Sequence, residues 1–141
     1  MNTLTLKTKV TFNAPISEVW KGLTDPAIVK QYFFGTDLKS DFKTGSRITF
    51  SGEWEGYKYE DGGVILDIDP PKLLKYTYWS SMMGLEDKPE NYYNITYELS
   101  ESKGVTTLVI TQDGVKNQEA KDHSEQNWQS VFEGLKKILE K

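Results

Sequence analysis

A chain of 141 residues with 27% charged side chains is sized for one domain, residues 1–141, with a substantial core, and its net charge of -4 argues against general nucleic-acid binding, which favours a basic face. The absence of cysteine excludes disulfides, thiol catalysis and thiolate metal sites. No apolar run approaches membrane-spanning length, and Met1-Asn2-Thr3-Leu4 lacks the basic and apolar regions of a signal peptide, so the expectation is a cytoplasmic protein without a membrane span.

Leu4, Leu6, Val10 and Phe12 share one parity against Thr5, Lys7, Lys9 and Thr11, which predicts a half-buried strand over 3–12. Pro15 suits the first turn of a helix, and Ile16, Val19, Trp20 and Leu23 repeat at helical spacing. Asp25-Pro26 starts a second short helix, to about Tyr32, with the carboxylate capping free amides. Strand patterns follow at 36–40, 47–53, 57–67, 73–79, 91–100 and 105–112. Gly62-Gly63 predicts a bulge or sharp bend inside the third of these, and Asp69-Pro70-Pro71 stops it. Met82, Met83 and Leu85 lie in a longer loop over 80–90, either an adaptable lid or an ordinary connection.

The last segment, Gln118 to Lys141, carries Trp128, Val131, Phe132, Leu135, Ile138 and Leu139 on one helical stripe. Gln129, Glu133, Lys136, Lys137 and Glu140 occupy the other face. Asn117 and Asp122 are both candidates to cap its start. The order predicts an α+β fold. A curved antiparallel meander wraps a long C-terminal helix, two short helices follow the first strand, and the first strand pairs with the last.

Several stretches resemble the activator of heat-shock-protein-90 ATPase homologue family, within the START and birch-pollen-allergen-like superfamily also called SRPBCC. They are Phe12-Asn13-Ala14-Pro15-Ile16-Ser17-Glu18-Val19-Trp20 with Leu23-Thr24-Asp25-Pro26, the run from Gly63 to Leu73 with its double proline, the strand Gly104 to Ile110, and Trp128 with Leu135-Lys136. The chain departs from many relatives at Gly45-Ser46, at Asn127 and at Tyr32-Phe33-Phe34. The resemblance implies the helix-grip fold, with a cavity between sheet and long helix for lipids, sterols, polyketides or similar molecules. Because the departures bear on cavity shape, no relative's ligand carries over.

The residues point to no catalytic set. The single histidine, His123, neighbours Ser124 on a helix, and adjacent helical positions point about 100° apart, so they form no nucleophile–base pair. His123 is expected in solvent, and Glu60-Asp61-Gly62-Gly63 as a bend with solvated acids. Asp67 and Asp69 lack the further ligands of a calcium loop, so no metal is expected, and without a phosphate-cradling glycine motif no cofactor is expected.

Inward aromatics are the candidate ligand wall: Phe50, Trp54, Tyr59, Tyr76, Tyr78, Tyr93, Tyr97, Trp128 and Phe132, with Ile95 beside them. The sequence-level expectation is a binding module for an apolar or aromatic small molecule. The alternatives are an enzyme on such a molecule, a cyclase, hydrolase or isomerase with acid–base candidates Glu53, Tyr59, Tyr76 and Tyr97, and a co-chaperone-like interaction module. No residue pattern supports a chaperone partner.

Overall fold

The structure is a computed structural model that describes residues 4–33, 35–54, 56–80, 86, 88 and 91–140, without the side chains of Trp54 and Tyr57. Its elements run β1 Leu4–Phe12, α1 Ile16–Thr24, α2 Pro26–Tyr32, β2 Asp37–Ser40, β3 Arg47–Trp54, β4 Tyr57–Asp69, β5 Leu73–Tyr78, β6 Tyr93–Ser102, β7 Val105–Val115 and α3 Gln118–Leu139. The strands form one curved antiparallel sheet in the order β1-β7-β6-β5-β4-β3-β2. This is the helix-grip arrangement the sequence predicts.

The meander follows from its turns. Lys103 and Gly104 both have positive φ, 52° and 77°, the backbone that a tight hairpin between twisted strands requires. The return of β7 beside β1 pairs strands that are not consecutive in sequence, registered through Lys7↔Thr111 and Phe12↔Thr106. The alternation read in β1 appears as burial: Leu6, Thr8 and Phe12 are buried, and Lys7, Lys9 and Thr11 are exposed.

Two expectations about β-structure are corrected. The register irregularity of β4 against β5 falls between Ile65 and Asp67, beyond the glycine pair. Gly62 remains bridged to Trp79, donating to its carbonyl at 2.9 Å and accepting from its amide at 3.0 Å. Glycine is needed there for another reason. Its φ is +137°, and a Cβ would run into the carbonyl of Ile48 on the neighbouring strand. The last strand also continues through Asp113-Gly114 to Val115, because Gly114 at φ +87° lets the chain bend without leaving the ladder.

Helix α3 buries Trp128, Val131, Phe132 and Leu135 and exposes Gln129, Glu133 and Lys137. Each fully buried side chain of this size contributes about 1.5–3 kcal/mol. Its cap is Asn117, whose Oδ1 accepts from the amide of Ala120 at 2.8 Å, while Asp122 instead accepts from the Gln118 side chain. Asp25 caps α2 through the amide of Ala27, as expected from its sequence. For α1 the cap comes from far along the chain: Glu101 Oε1 accepts from the amide of Ile16 at 2.6 Å.

The short helices close on α3 through small residues. A Cβ on Gly134 would stand 2.9 Å from Cβ of Tyr32. The hydroxyl of Tyr32 donates to the carbonyl of Gly22 at 2.7 Å, tying α2 to α1. A Cβ on Gly22 would stand 2.7 Å from Cδ1 of Leu135 on α3, so the glycine of α1 permits the three-helix junction.

Candidate ligand-binding interior

The inner face of the sheet is set by strand parity. Ile48 and Phe50 of β3, Ile65 of β4, Leu74 and Tyr76 of β5, Ile95 and Tyr97 of β6, and Leu108 and Ile110 of β7 are all buried. Trp128 and Phe132 of α3 face them from the opposite side. Of the expected wall residues, Phe50, Tyr76, Tyr78, Tyr97, Trp128 and Phe132 come together as a continuous series of ring contacts. Phe50 meets Tyr76 and Tyr78 at centroid distances of 5.9 and 5.8 Å. Tyr76 meets Tyr97 edge-on at 5.5 Å, Tyr97 meets Trp128 edge-on at 6.1 Å, and Trp128 stacks on Phe132 at 6.3 Å. Phe33, just after α2, extends the series by stacking on Phe50 at 5.7 Å.

The remaining wall candidates lie around this series. Ile95 is buried opposite Tyr76, and Tyr93 is half-buried opposite Tyr78. Tyr59 is half-buried, with its hydroxyl 2.8 Å from Oγ1 of Thr36. The side chain of Trp54 lies outside the described residues, as do Met82, Met83 and Leu85. Two surface depressions, of about 550 and 510 Å³, follow the β2–β3 edge and involve Tyr59 alone among the expected wall residues. Between sheet and α3 the rings of Tyr97, Trp128 and Phe132 pack against one another.

Polar groups punctuate this interior. Tyr76 and Tyr97 are 2% and 5% exposed, and their hydroxyl oxygens stand 2.7 Å apart. Burial holds both phenols above their ordinary range, Tyr97 at about 12. Trp128 Nε1 donates to Oε1 of Gln112 at 2.9 Å, and Gln112 Nε2 donates to the hydroxyl of Ser124 at 3.3 Å. At the β4 side, Tyr78 donates to Oδ2 of Asp61 at 3.2 Å. Burial raises the Tyr78 phenol first, and the Asp61 carboxylate raises it further.

Asp61 corrects the expectation of a solvated bend. Glu60 is exposed, but Asp61 is 6% exposed, the only buried ionisable carboxylate among the described residues. It pairs with Phe50 across β3–β4, and directly opposed residues share a face. The signal was legible, since Tyr59, Asp61, Gly63 and Ile65 have one parity. Gln112 was likewise missed, although it continues the inward series Thr106, Leu108 and Ile110. In the other direction, Glu53 is exposed and pairs with exposed Lys58 on the outer face, which removes it as an interior acid. His123 is exposed, as its sequence position implies. Among the described residues no three His, Asp or Glu side chains converge as metal ligands, and no helix is long and apolar enough to cross a membrane.

The family model for the activator of Hsp90 ATPase homolog 1-like protein matches residues 13–140. This chain belongs to that family. The solution structure of ChR145 from Cytophaga hutchinsonii is similar to it at 42% identity and TM-score 0.86, covering 99% of this chain and 97% of that one. The crystal structures of MLL2253 from Mesorhizobium loti and CV1439 from Chromobacterium violaceum are similar at 23% and 22% identity, each with TM-score 0.78 and 97% coverage of both chains. At those lower identities the likeness shows the fold alone. No curated protein matches the sequence. Membership in this Hsp90-activator-like family fixes the architecture and does not by itself assign a function.

Proposed function

We propose that this chain, acting as one domain over residues 1–141 in the cytoplasm, holds an apolar or aromatic small molecule between the sheet and α3. The observation that carries the reading is the chemistry of the inner face. An interior built only for packing favours Phe and Leu, because each buried hydroxyl or carboxylate costs free energy unless it is hydrogen-bonded. Here two phenols, a third phenol on a carboxylate, and an indole on an amide sit within one aromatic wall. Apolar walls with a few placed polar groups are the composition of small-molecule sites.

The rings of Phe132 on α3 and of Phe33 after α2 are the movable side of this wall, since neither belongs to the sheet, and Trp128 follows only as its bond to Gln112 yields. A ligand occupies the interior by parting them from Phe50, Tyr76 and Tyr97. Binding therefore changes tryptophan emission and raises the melting temperature with the logarithm of ligand concentration.

The test is native mass spectrometry of the protein purified from its own host, paired with titration by a neutral apolar fluorophore. A retained non-peptide mass, and one-site probe binding weakened by Ile95→Trp or Leu108→Phe, are the expected results. No retained mass together with probe binding indifferent to both substitutions would mean that the interior is solid core.

A further inference from the structure

The buried hydroxyl pair of Tyr76 and Tyr97 contains a hydrogen-bond surplus. Two phenols carry two O–H donors, and one bond joins them. Whichever hydroxyl donates, the other keeps its own hydrogen, and among the described residues neither hydroxyl has a second partner. Both side chains are more than nine-tenths buried, so bulk water does not serve this donor. Other inner polar groups differ in this respect: the indole of Trp128 has spent its single donor on Gln112, and Tyr78 has spent its own on Asp61.

We infer that the Tyr76–Tyr97 pair is the specificity-determining donor of the interior site and takes a neutral carbonyl oxygen of an otherwise apolar ligand. This rests on the small-molecule reading above and adds the chemistry of the ligand. Three observations select a carbonyl. The partner must be an acceptor, because the pair has a hydrogen to give. It must be neutral, because no lysine, arginine or histidine is buried among the described residues to compensate an anionic group. It must come on a flat apolar frame, because Phe50, Tyr76, Tyr97 and Trp128 are the rings around the pair. The pair also remains protonated at physiological pH, since burial holds Tyr97 at about 12 and Tyr76 well above its usual range.

The test uses two probes of nearly one shape, 2-acetylnaphthalene and 2-ethylnaphthalene, with dissociation constants measured by calorimetry on the intact protein. The ketone is expected to bind about tenfold more tightly, the size of one well-placed buried hydrogen bond. Tyr76→Phe and Tyr97→Phe alone each leave one hydroxyl free to donate, so each keeps the preference. The double substitution removes the donor and should bring the two probes to equal affinity. This pattern separates a ligand donor from a merely structural pair. Infrared spectra of the bound ketone supply a readout needing no variant: its carbonyl stretch should fall below the value in hydrocarbon solvent.

Equal affinity of both probes for the unsubstituted protein, or a ketone preference surviving the double substitution, overturns the donor assignment while leaving the pocket reading intact. An unshifted carbonyl stretch does the same. Failure of both probes to saturate removes the pocket reading, and this inference with it.

Discussion

Two polar clusters cross the same apolar interior, and they are built differently. At the β7–α3 side, Gln112 links two groups: its oxygen accepts from Trp128 and its nitrogen donates to Ser124. Nearby, Gln129 of α3 donates to the hydroxyl of Thr8 on β1 at 3.2 Å. These bonds join the long helix to two strands and hold it in register. In the middle of the sheet, the Tyr76–Tyr97 pair joins β5 to β6, which the ladder already joins. Polar groups that fasten elements together explain themselves by the fastening. A polar pair that adds no connection and retains a donor is better explained by what it can bind.

The comparison is broken most forcefully at Trp128. Trp128→Ala removes a buried indole from its stack with Phe132 and deprives Gln112 of its donor, so it should cost about 3–5 kcal/mol. A thermal melt should fall by many degrees. A melt within error of the unsubstituted protein would show that α3 does not depend on this anchor.

The tyrosine pair should behave in the opposite way. Either single Tyr→Phe change loses the shared hydrogen bond and leaves a buried donor unmatched, at about 1 kcal/mol. The double change removes both hydroxyls and the surplus with them, and should lie within about 0.5 kcal/mol of the original or above it. Urea unfolding of the four proteins checks this. Additive losses across the cycle would mean that the two hydroxyls do not interact.

The same phenols give a pH dependence of definite sign. With Tyr97 near 10 unfolded and about 12 folded, the unfolded chain loses its proton first as pH rises. The contribution is therefore fully present below about pH 10 and is lost between about 10 and 12. Absorbance of ionised tyrosine followed alongside circular dichroism should show these phenols titrating together with unfolding. Their free titration near pH 10 in folded protein would place them in solvent.

The fold was legible because its signals are local and periodic. Parity in β1, β5, β6 and β7, the spacing of Trp128, Val131, Phe132 and Leu135, and the turn at Lys103-Gly104 each declare themselves within a few residues. The candidate site was legible only as a set of inward rings. Whether those rings leave space depends on how α3 packs, and that packing includes junctions such as Gly134 against Tyr32 of α2, far apart in sequence. Asp61 escaped because acids beside two glycines resemble a turn. Its strand parity, shared with Tyr59 and Ile65, outweighed that local appearance. The irregularity between Ile65 and Asp67 had no comparable sequence mark, since Ile65-Leu66-Asp67 carries neither glycine nor proline.

The smallest expected effect sharpens the account of how α3 begins, where sequence alone offered two caps. Asn117 Oδ1 accepts from the amide of Ala120, satisfying one of the first-turn amides that no helical carbonyl can reach. Asp122 lies a full turn further on, where helical carbonyls already serve the amides, and it only accepts from the exposed Gln118 side chain. Asn117→Ala should therefore cost about 1 kcal/mol, and Asp122→Ala no more than about 0.5 kcal/mol. Amide hydrogen exchange gives the local readout, with faster exchange confined to Ala120 and its first-turn neighbours in Asn117→Ala. Because Ser124, which accepts from the side-chain amide of Gln112, sits about two turns beyond Asn117, fraying from Asn117 should also loosen the Gln112–Trp128 anchor. Equal losses in the two variants, or exchange unchanged at Ala120, would mean that α3 starts at a different residue and that its docking does not depend on this cap.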